Sequence, residues 1–162
     1  MILLLIRHAK AEDFGSSGDG SRALTAKGQL QSRQVGRFLK ERDLLPDLVL
    51  HSPLVRARET AEIFCQTCGA DAPVQEAWLS CGMRPEEALA ELAVYESMES
   101  METVAIVGHE PDFSQLVGYL LGAERGYVQV KKASVIALSV QPPRKNGVLH
   151  FSVWPAMLPV GE

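Results

Sequence analysis

The sequence predicts an α/β fold: a three-layer α/β/α sandwich around a mostly parallel central sheet with one antiparallel strand. Short apolar runs alternate with amphipathic segments along the 162 residues, as they do when helices cover both faces of a parallel sheet. The run at residues 1–6 is apolar throughout, which is typical of a strand buried on both faces. The last two runs follow each other without a helix between them, so one of them is predicted to be antiparallel.

The predicted strands are short apolar runs that end in polar or turn-forming residues. They cover residues 1–6, 48–52, 74–79, 104–107, 134–140 and 148–154. The last two are expected to form a hairpin, because Asn146 and Gly147 are a strong turn signal. With the helices that separate the earlier runs, the predicted order is β-α-β-α-β-α-β-α-β-β.

The predicted helices lie between these strands and cover residues 25–42, 52–69, 84–95 and 111–121. Thr25 is a suitable N-cap for the first helix. Ser52 and Pro53 begin the second helix, as its cap and first helical residue, and Gly69 ends it. A stretch rich in Gly, Ser and Asp, residues 11–23, is expected to be a loop between the first strand and the first helix.

Length and charge limit the classes of function. A chain of 162 residues fits one domain, residues 1–162. Its net charge of −4 argues against sequence-independent nucleic-acid binding, which needs an excess of Lys and Arg. Residues 1–6 are too short for a signal peptide and lack its basic start, and no later apolar run approaches the roughly 20 residues of a membrane span. We therefore expect a cytoplasmic protein without nucleic-acid or membrane partners.

The three cysteines do not suggest a disulfide framework, because their number is odd. Cys65 and Cys68 form a CxxC pair, but a zinc site would need a second pair of ligands in a matching pattern, and none is visible. We expect two thiols packed on one side of a helix. The pattern assigns no role to Cys81, and we expect neither a metal ion nor a cofactor.

Charged and polar groups follow three of the predicted strands. Arg7 and His8 come after the first strand, Arg56 lies just beyond the second, and His109 comes after the fourth. In a parallel sheet these strand ends lie at one edge, so the residues are predicted to share a pocket. One guanidinium group can bind two phosphoryl oxygens through parallel hydrogen bonds. A neutral imidazole can attack phosphorus, and a second imidazole can donate a hydrogen bond to the phosphoryl oxygens. The pattern favours a phosphoryl-transfer site.

Taken singly, the same residues also fit structural roles. Arg7 and His8 are also consistent with a charged strand end, and His109 with a turn histidine bonded to the backbone. The structural interpretation is preferred outright for His51, His150 and Arg58. Independent structural causes would have to place all three groups at one sheet edge, however, so their coincidence favours the functional interpretation.

Three blocks of the chain, in order, resemble the signature blocks of the histidine phosphatase superfamily. They are RHAKAE at residues 7–12, SPLVRARETA at 52–61 and VGHEP at 107–111. The short chain and RALT at residues 22–25 are similar to the small phosphohistidine phosphatase branch of that superfamily, the SixA type. Each block alone is a weak signal, whereas the ordered set is specific and covers nearly the whole chain.

The resemblance implies a role for five residues. His8 would be the nucleophile that takes the phosphoryl group, Arg7 and Arg56 would bind its oxygens, and His109 would complete the pocket. Arg22, which precedes the Leu-Thr pair of the RALT block, would be a further phosphate or substrate contact.

The chain departs from the superfamily pattern in two ways. Ala9 follows the nucleophile, where glycine is commonest. No insertion after the third strand supplies an acidic proton donor, so the candidates are Glu12, Glu76 and Glu110. Of these, Glu110 follows His109 directly, where a second branch of the superfamily has an aspartate as proton donor.

We therefore expect a metal-independent phosphatase that acts through a phosphohistidine on His8. The expected substrate is phosphohistidine on a protein, such as a histidine-containing phosphotransfer domain, because the short chain lacks lid insertions and leaves an open pocket. An N-phosphoryl leaving group also needs less acid assistance than an alkoxide. The alternatives are a phosphatase of small phosphate esters and a module that binds phosphorylated ligands without turnover.

Overall fold

A computed structural model describes residues 1–98, 101–124 and 126–159 of the chain. Residues 99, 100, 125 and 160–162, which the predicted 1–162 domain includes, lie outside the described residues. The strands and helices are β1 (Ile2–Arg7), α1 (Ala26–Glu41), β2 (Leu48–His51), α2 (Val55–Cys68), β3 (Val74–Gln75), α3 (Pro85–Glu96), β4 (Thr103–Gly108), α4 (Asp112–Leu121), β5 (Val135–Val140) and β6 (Gly147–Val153). This is the predicted order. Within the described ranges, no helix is long and apolar enough to cross a membrane.

The strands form one sheet in the order β3-β2-β4-β1-β5-β6. The first four strands of the chain run parallel to one another, and β5 is antiparallel to both β1 and β6. The predicted fold class is confirmed, and among the described strands β5 is the one that runs antiparallel. In the register of the parallel strands, Arg7 lies beside Gly108 and His51 beside Val107. The carboxyl ends of β1, β2 and β4 therefore finish level with one another.

The two faces of β1 pack against different pairs of helices. Leu3 and Leu5 belong to an apolar cluster with residues of α3 and α4, and Leu4 and Ile6 belong to a cluster with residues of α1 and α2. All four side chains are fully buried, as predicted from the apolar run. Each such burial contributes roughly 1.5–3 kcal/mol, so the strand that leads to the site is anchored from both sides.

The helix ends agree with the sequence at three points and differ at one. Thr25 Oγ1 accepts a hydrogen bond from the Gly28 amide at 3.1 Å, and Gly69 ends α2 with a φ of +87°. Pro85 begins α3. The second helix, however, begins at Val55 rather than with Ser52 as its cap. The Ser52 hydroxyl is engaged elsewhere in the fold, as described below.

The third strand and the hairpin also differ from the prediction. The strand predicted over residues 74–79 is limited to Val74–Gln75 at the sheet edge, and the next residues form a 3-10 turn, Ala77–Leu79, that buries Leu79. Residues 141–146 connect β5 to β6, and Gly147, which the sequence places in the connection at 141–147, already belongs to the strand. This connection contains Pro142 and Pro143, which cannot donate to a strand ladder.

Candidate active site

The residues that follow three parallel strands remain hydrogen-bonded to one another beyond the strand ends. The His8 amide donates to the Gly108 carbonyl at 3.0 Å, and the Ser52 amide donates to the Val107 carbonyl, also at 3.0 Å. These bonds bring the His8 and His109 rings together, with centroids 5.3 Å apart and planes tilted by 52°. The structure thus places the predicted strand-end residues at one edge of the sheet.

His8 is held in one orientation by backbone contacts. Its ring is almost fully buried, and Nδ1 lies 2.8 Å from the Ala9 carbonyl oxygen. Because a carbonyl can only accept, Nδ1 carries the proton and Nε2 keeps a free lone pair. The Ala9 amide in turn donates to Thr60 Oγ1 of α2 at 3.1 Å. The arrangement orients Nε2 as a nucleophile or an acceptor.

His109 is oriented by the Ser52 side chain. Its Nε2 lies 2.7 Å from Ser52 Oγ, and that oxygen accepts a hydrogen bond from the Leu54 amide at 3.3 Å. We assign the Ser52 hydroxyl as the donor to Nε2, which places the proton of the neutral His109 ring on Nδ1. Nδ1 is buried and has no hydrogen-bond partner among the described residues. It is a donor available to a ligand.

Burial and nearby cations keep both imidazoles neutral. Burial lowers the pKa of His8 to about 3; its Nδ1 bond opposes the shift, and His109, Arg56 and Arg7 add to it. Burial likewise lowers the pKa of His109 to about 4, with Arg56 and Arg7 adding to the shift and Asp19 opposing it. At neutral pH the site therefore presents one free imidazole lone pair and one unpaired imidazole N–H.

Arg7, the last residue of β1, is fixed at one end of its guanidinium. Its Nη1 donates to the Val130 carbonyl at 2.8 Å, and its Nε is buried without a partner in the described ranges. Four buried side-chain nitrogens lack partners there, and two of them are in this site, on Arg7 and His109. A buried donor without a partner is costly, so a bound anion would satisfy both.

Arg56 lies in the first turn of α2 and is 5% exposed. Both of its terminal nitrogens donate to one residue: Nη1 to the Asp19 carbonyl at 2.9 Å and Nη2 to Asp19 Oδ2 at 3.1 Å. Nη2 also lies 3.9 Å from Cys81 Sγ. The structure therefore brings Cys81, for which the sequence pattern predicts no role, next to a predicted phosphate ligand.

Arg22 lies on the loop side of the site. Its Nη1 donates to Asp19 Oδ1 at 2.8 Å and its Nε donates to the Glu12 carbonyl at 2.6 Å. Asp19 thus connects Arg22 to Arg56, and the bonds from these arginines lower the pKa of its carboxyl. Sequence reasoning did not single out Asp19. The available signal was its position three residues before Arg22 in a loop that follows the first signature block.

The three candidate proton donors have different surroundings. Glu110 Oε1 accepts a hydrogen bond from the Ser114 amide in the first turn of α4 at 2.9 Å. Burial lowers the pKa of Arg7, and the Glu110 carboxylate lies close enough to oppose that shift. Glu76 accepts a hydrogen bond from the Tyr95 hydroxyl at 2.8 Å. The Glu12 side chain is exposed. The charge of Glu110 thus acts on one predicted phosphate ligand, Arg7.

Asp112 is a further buried carboxylate beside the site that sequence reasoning did not find. Its Oδ2 accepts hydrogen bonds from the Gly82 amide at 2.8 Å and the Met83 amide at 3.3 Å. These bonds tie the segment that carries Cys81 to the start of α4. Burial raises the pKa of Asp112 despite the two bonds.

The residues given a structural interpretation have structural contacts. Cys65 and Cys68 are free thiols buried on α2, and burial raises the pKa of Cys65 to about 12. His51 Nδ1 donates to the Ser52 carbonyl at 2.8 Å. The other contacts are Arg58 with Glu62 at 3.8 Å and His150 Nε2 with Ser139 Oγ at 2.6 Å.

Comparison with known proteins agrees with this geometry. The family model of the histidine phosphatase superfamily, branch 1, matches residues 3–81, which contain the first two signature blocks. An uncharacterized protein of Picosynechococcus sp. strain PCC 7002 is 33% identical over 144 residues, 85% of this chain and 84% of that protein. The mitochondrial serine/threonine-protein phosphatase Pgam5 of Drosophila virilis is 43% identical over 61 residues, 38% of this chain and 21% of that protein.

Solved structures share the fold. The protein histidine phosphatase SixA, complexed with tungstate, superposes with a TM-score of 0.88 at 22% identity, over 97% of this chain and 99% of that chain. A phosphoserine phosphatase mutant of Entamoeba histolytica, in complex with phosphoserine, has a TM-score of 0.68 at 18% identity, over 93% of this chain and 95% of that chain. With the family match and the relative that aligns along most of the chain, the conclusion is that this protein belongs to the histidine phosphatase superfamily.

Proposed function

We propose that this protein is a metal-independent phosphatase that removes phosphate from phosphohistidine on a protein, through a phosphohistidine formed on its own His8. The observation that carries the proposal is the pairing of two neutral rings 5.3 Å apart. His8 offers a free Nε2, and His109 offers an unpaired Nδ1–H. A nucleophile and a donor for the developing negative charge are the two groups that phosphoryl transfer needs.

In the first step, His8 Nε2 attacks phosphorus. The new bond is Nε2–P, and the bond from phosphorus to the leaving nitrogen breaks, with its electron pair going to the leaving imidazole. Arg7 and Arg56 bind the phosphoryl oxygens and His109 Nδ1–H donates to one of them. Removal of one such donor typically costs about 10²–10³-fold in rate. Both guanidinium groups stay charged, which balances the negative phosphoryl oxygens.

In the second step, water attacks phosphorus and the Nε2–P bond breaks, which returns the electron pair to His8 and releases inorganic phosphate. The Nδ1 bond to the Ala9 carbonyl holds the ring in place through both steps. The neutral state of the free ring, a consequence of its lowered pKa, supports its use as a nucleophile at neutral pH.

The leaving group supports phosphohistidine as the substrate. A phosphohistidine that is protonated on its other ring nitrogen leaves as a neutral imidazole, so the first step needs no proton donor from the protein. Glu110, the candidate proton donor whose charge acts on Arg7, already uses one carboxylate oxygen to accept from the first turn of α4. The SixA protein that shares the fold is a protein histidine phosphatase, which supports this substrate class.

Hydrolysis of small phosphate esters is the second candidate function. It is favoured by the proximity of Glu110 to Arg7 and by the phosphoserine phosphatase of Entamoeba histolytica that shares the fold. An alkoxide leaving group needs a proton, which Glu110 would supply. Glu110→Gln retains the cap of α4 and removes the proton. If Glu110 is the acid, this variant loses ester cleavage by at least about tenfold and keeps phosphohistidine cleavage.

The direct test measures phosphate release in EDTA from a phosphohistidine-bearing protein and from phosphoserine. Wild type is compared with His8→Asn, in which the asparagine amide replaces the Nδ1–H donor but offers no nucleophile. Release from phosphohistidine by wild type alone, with poor ester cleavage, supports the proposal. Ester cleavage without phosphohistidine cleavage supports the second candidate. No release from either substrate, combined with tight retention of the phosphorylated protein, would make the protein a binding module.

A further inference from the structure

Asp19 fills the space between the two arginines on the open side of the site. It begins a short 3-10 turn, Asp19–Ser21, in the loop between β1 and α1. Its Oδ1 accepts from Arg22 Nη1 at 2.8 Å, its Oδ2 from Arg56 Nη2 at 3.1 Å, and its carbonyl from Arg56 Nη1 at 2.9 Å. One residue therefore uses both terminal nitrogens of Arg56.

The carboxylate occupies donors that a phosphoryl group would use. Planar guanidinium groups bind carboxylate and phosphate oxygens in the same paired geometry. Hydrogen bonding to Arg22 and the charge of Arg56 lower the pKa of Asp19, so the carboxyl is ionised at neutral pH. An anion from the chain itself thus lies at the arginine pair in the absence of a ligand.

Of the two partners, Asp19 is the one that can move away. Arg56 is buried in the first turn of α2, whereas the Asp19 side chain is 65% exposed. The backbone around it is held by bonds within the loop, from the Ser17 amide to Ser21 Oγ at 2.8 Å and from Ser21 Oγ to the Gly18 carbonyl at 2.9 Å. Gly18, at a φ of +101°, faces open space. The carboxylate can therefore rotate into solvent without displacing the core.

We propose that Asp19 competes with the phosphoryl group for Arg56 and Arg22, and so weakens phosphate binding and promotes release of inorganic phosphate after each turnover. The inference rests on the proposed function for its effect on turnover. The competition itself is a binding equilibrium, so it can be measured without catalysis. A protein that releases its phosphate readily is less inhibited by its own product.

Two other roles for Asp19 make different predictions. A residue that only positions Arg56 would strengthen phosphate binding, so its removal would weaken the binding. A general acid would need its proton at neutral pH, which its ionised carboxyl lacks. Competition alone predicts that removal of the negative charge tightens phosphate binding.

The test is isothermal titration of inorganic phosphate into wild type, Asp19→Asn and Asp13→Asn at neutral pH. The asparagine at position 19 keeps an oxygen acceptor for Arg56 and loses the charge. Because exposed ion pairs are weak, we expect Asp19→Asn to bind phosphate about fivefold more tightly. Asp13 lies in the same loop and its carboxylate has no arginine partner in the described ranges. Its variant is therefore expected to stay within about twofold of wild type.

Three results would overturn the proposal: unchanged binding in Asp19→Asn, weaker binding in that variant, or an equal gain in Asp13→Asn, which would reflect net charge alone. If wild type proves inactive on every substrate while Asp19→Asn still binds phosphate more tightly, the competition stands and the proposed function fails. If wild type is active, product inhibition by phosphate should strengthen in Asp19→Asn by the same factor as binding.

Discussion

The two halves of the site are built in different ways. His8, Ser52 and His109 follow buried parallel strands, and hydrogen bonds between the strand ends fix their backbone. Asp19 and Arg22 belong to an exposed loop, which is held by bonds within itself and by the contacts of Asp19 with Arg56. Arg56, on the rigid helix α2, joins the two halves.

This difference separates chemistry from binding. Attack on phosphorus needs atoms placed within a fraction of an ångström, which strands packed on both faces provide. Ligand entry and product release need groups that can exchange partners, which an exposed loop provides. Substitutions in the strand-end half should therefore lower kcat by large factors, and those in the loop half should change affinity by small ones.

The largest effect is expected for His8→Asn. The variant keeps a donor for the Ala9 carbonyl but has no nucleophilic nitrogen, so phosphate release should fall by at least about 10³-fold. His51→Asn is the matched control, because His51 is also buried and its Nδ1 donates to the next carbonyl at the same 2.8 Å. The rates of phosphate release of His8→Asn and His51→Asn are compared in assays quenched at fixed times. Similar losses in both variants would show that the effect is structural.

Arg56→Lys should have the next largest effect. Lysine keeps the positive charge but cannot bind two phosphoryl oxygens in parallel, so kcat/KM should fall by about 10²-fold. Arg58→Lys, on the exposed side of the same helix, is the control. Equal activity of the Arg56→Lys variant and wild type would show that the paired geometry has no role.

Ser52→Ala tests the orientation of His109. Loss of the hydroxyl removes the bond that keeps the proton on Nδ1, and kcat should fall by about tenfold with little change in KM. Ser32→Ala is the control, since Ser32 is equally buried and bonds to the Gly28 carbonyl within α1. A rise in KM without a fall in kcat would show that Ser52 acts in substrate binding instead.

Arg22→Lys should have a small effect, as a member of the loop half. The variant loses the bond from Nε to the Glu12 carbonyl and the bond from Nη1 to Asp19 Oδ1, so KM should rise by about threefold with kcat unchanged. Steady-state kinetics measure both constants. A loss in kcat larger than that of Ser52→Ala would break the distinction between the halves.

The charge of the His8 and His109 rings should not change with pH over the neutral range. The folded-state pKa values, about 3 for His8 and about 4 for His109, lie below the ordinary value, so both rings stay neutral from pH 8 down to pH 5.5. Ring nitrogen NMR shifts should not change over this interval. A midpoint near pH 6.5 for either ring would mean that burial does not control its charge.

The sequence predicted the strand-end half well and the loop half poorly. The strands before Arg7 and His109 are buried on both faces, which requires continuous apolar runs, and such runs are visible in the sequence. The contact of Asp19 with Arg56 spans 37 residues and depends on how a loop packs on a helix, for which the sequence has no periodic signal. The sequence predicts Ser52 as a helix cap. Its bond to His109 could not be predicted, because that bond exists only once β2 and β4 are neighbours.

Trapping the intermediate is the decisive test of phosphoryl transfer through His8. Wild type is mixed with a protein that carries radiolabelled phosphohistidine and quenched with alkali within milliseconds. We expect label on the enzyme that is stable to alkali and labile to acid. Peptide mapping should locate it on His8, and it should be absent from His8→Asn. Rapid phosphate release by wild type without label on His8, or with label on another residue, would contradict it.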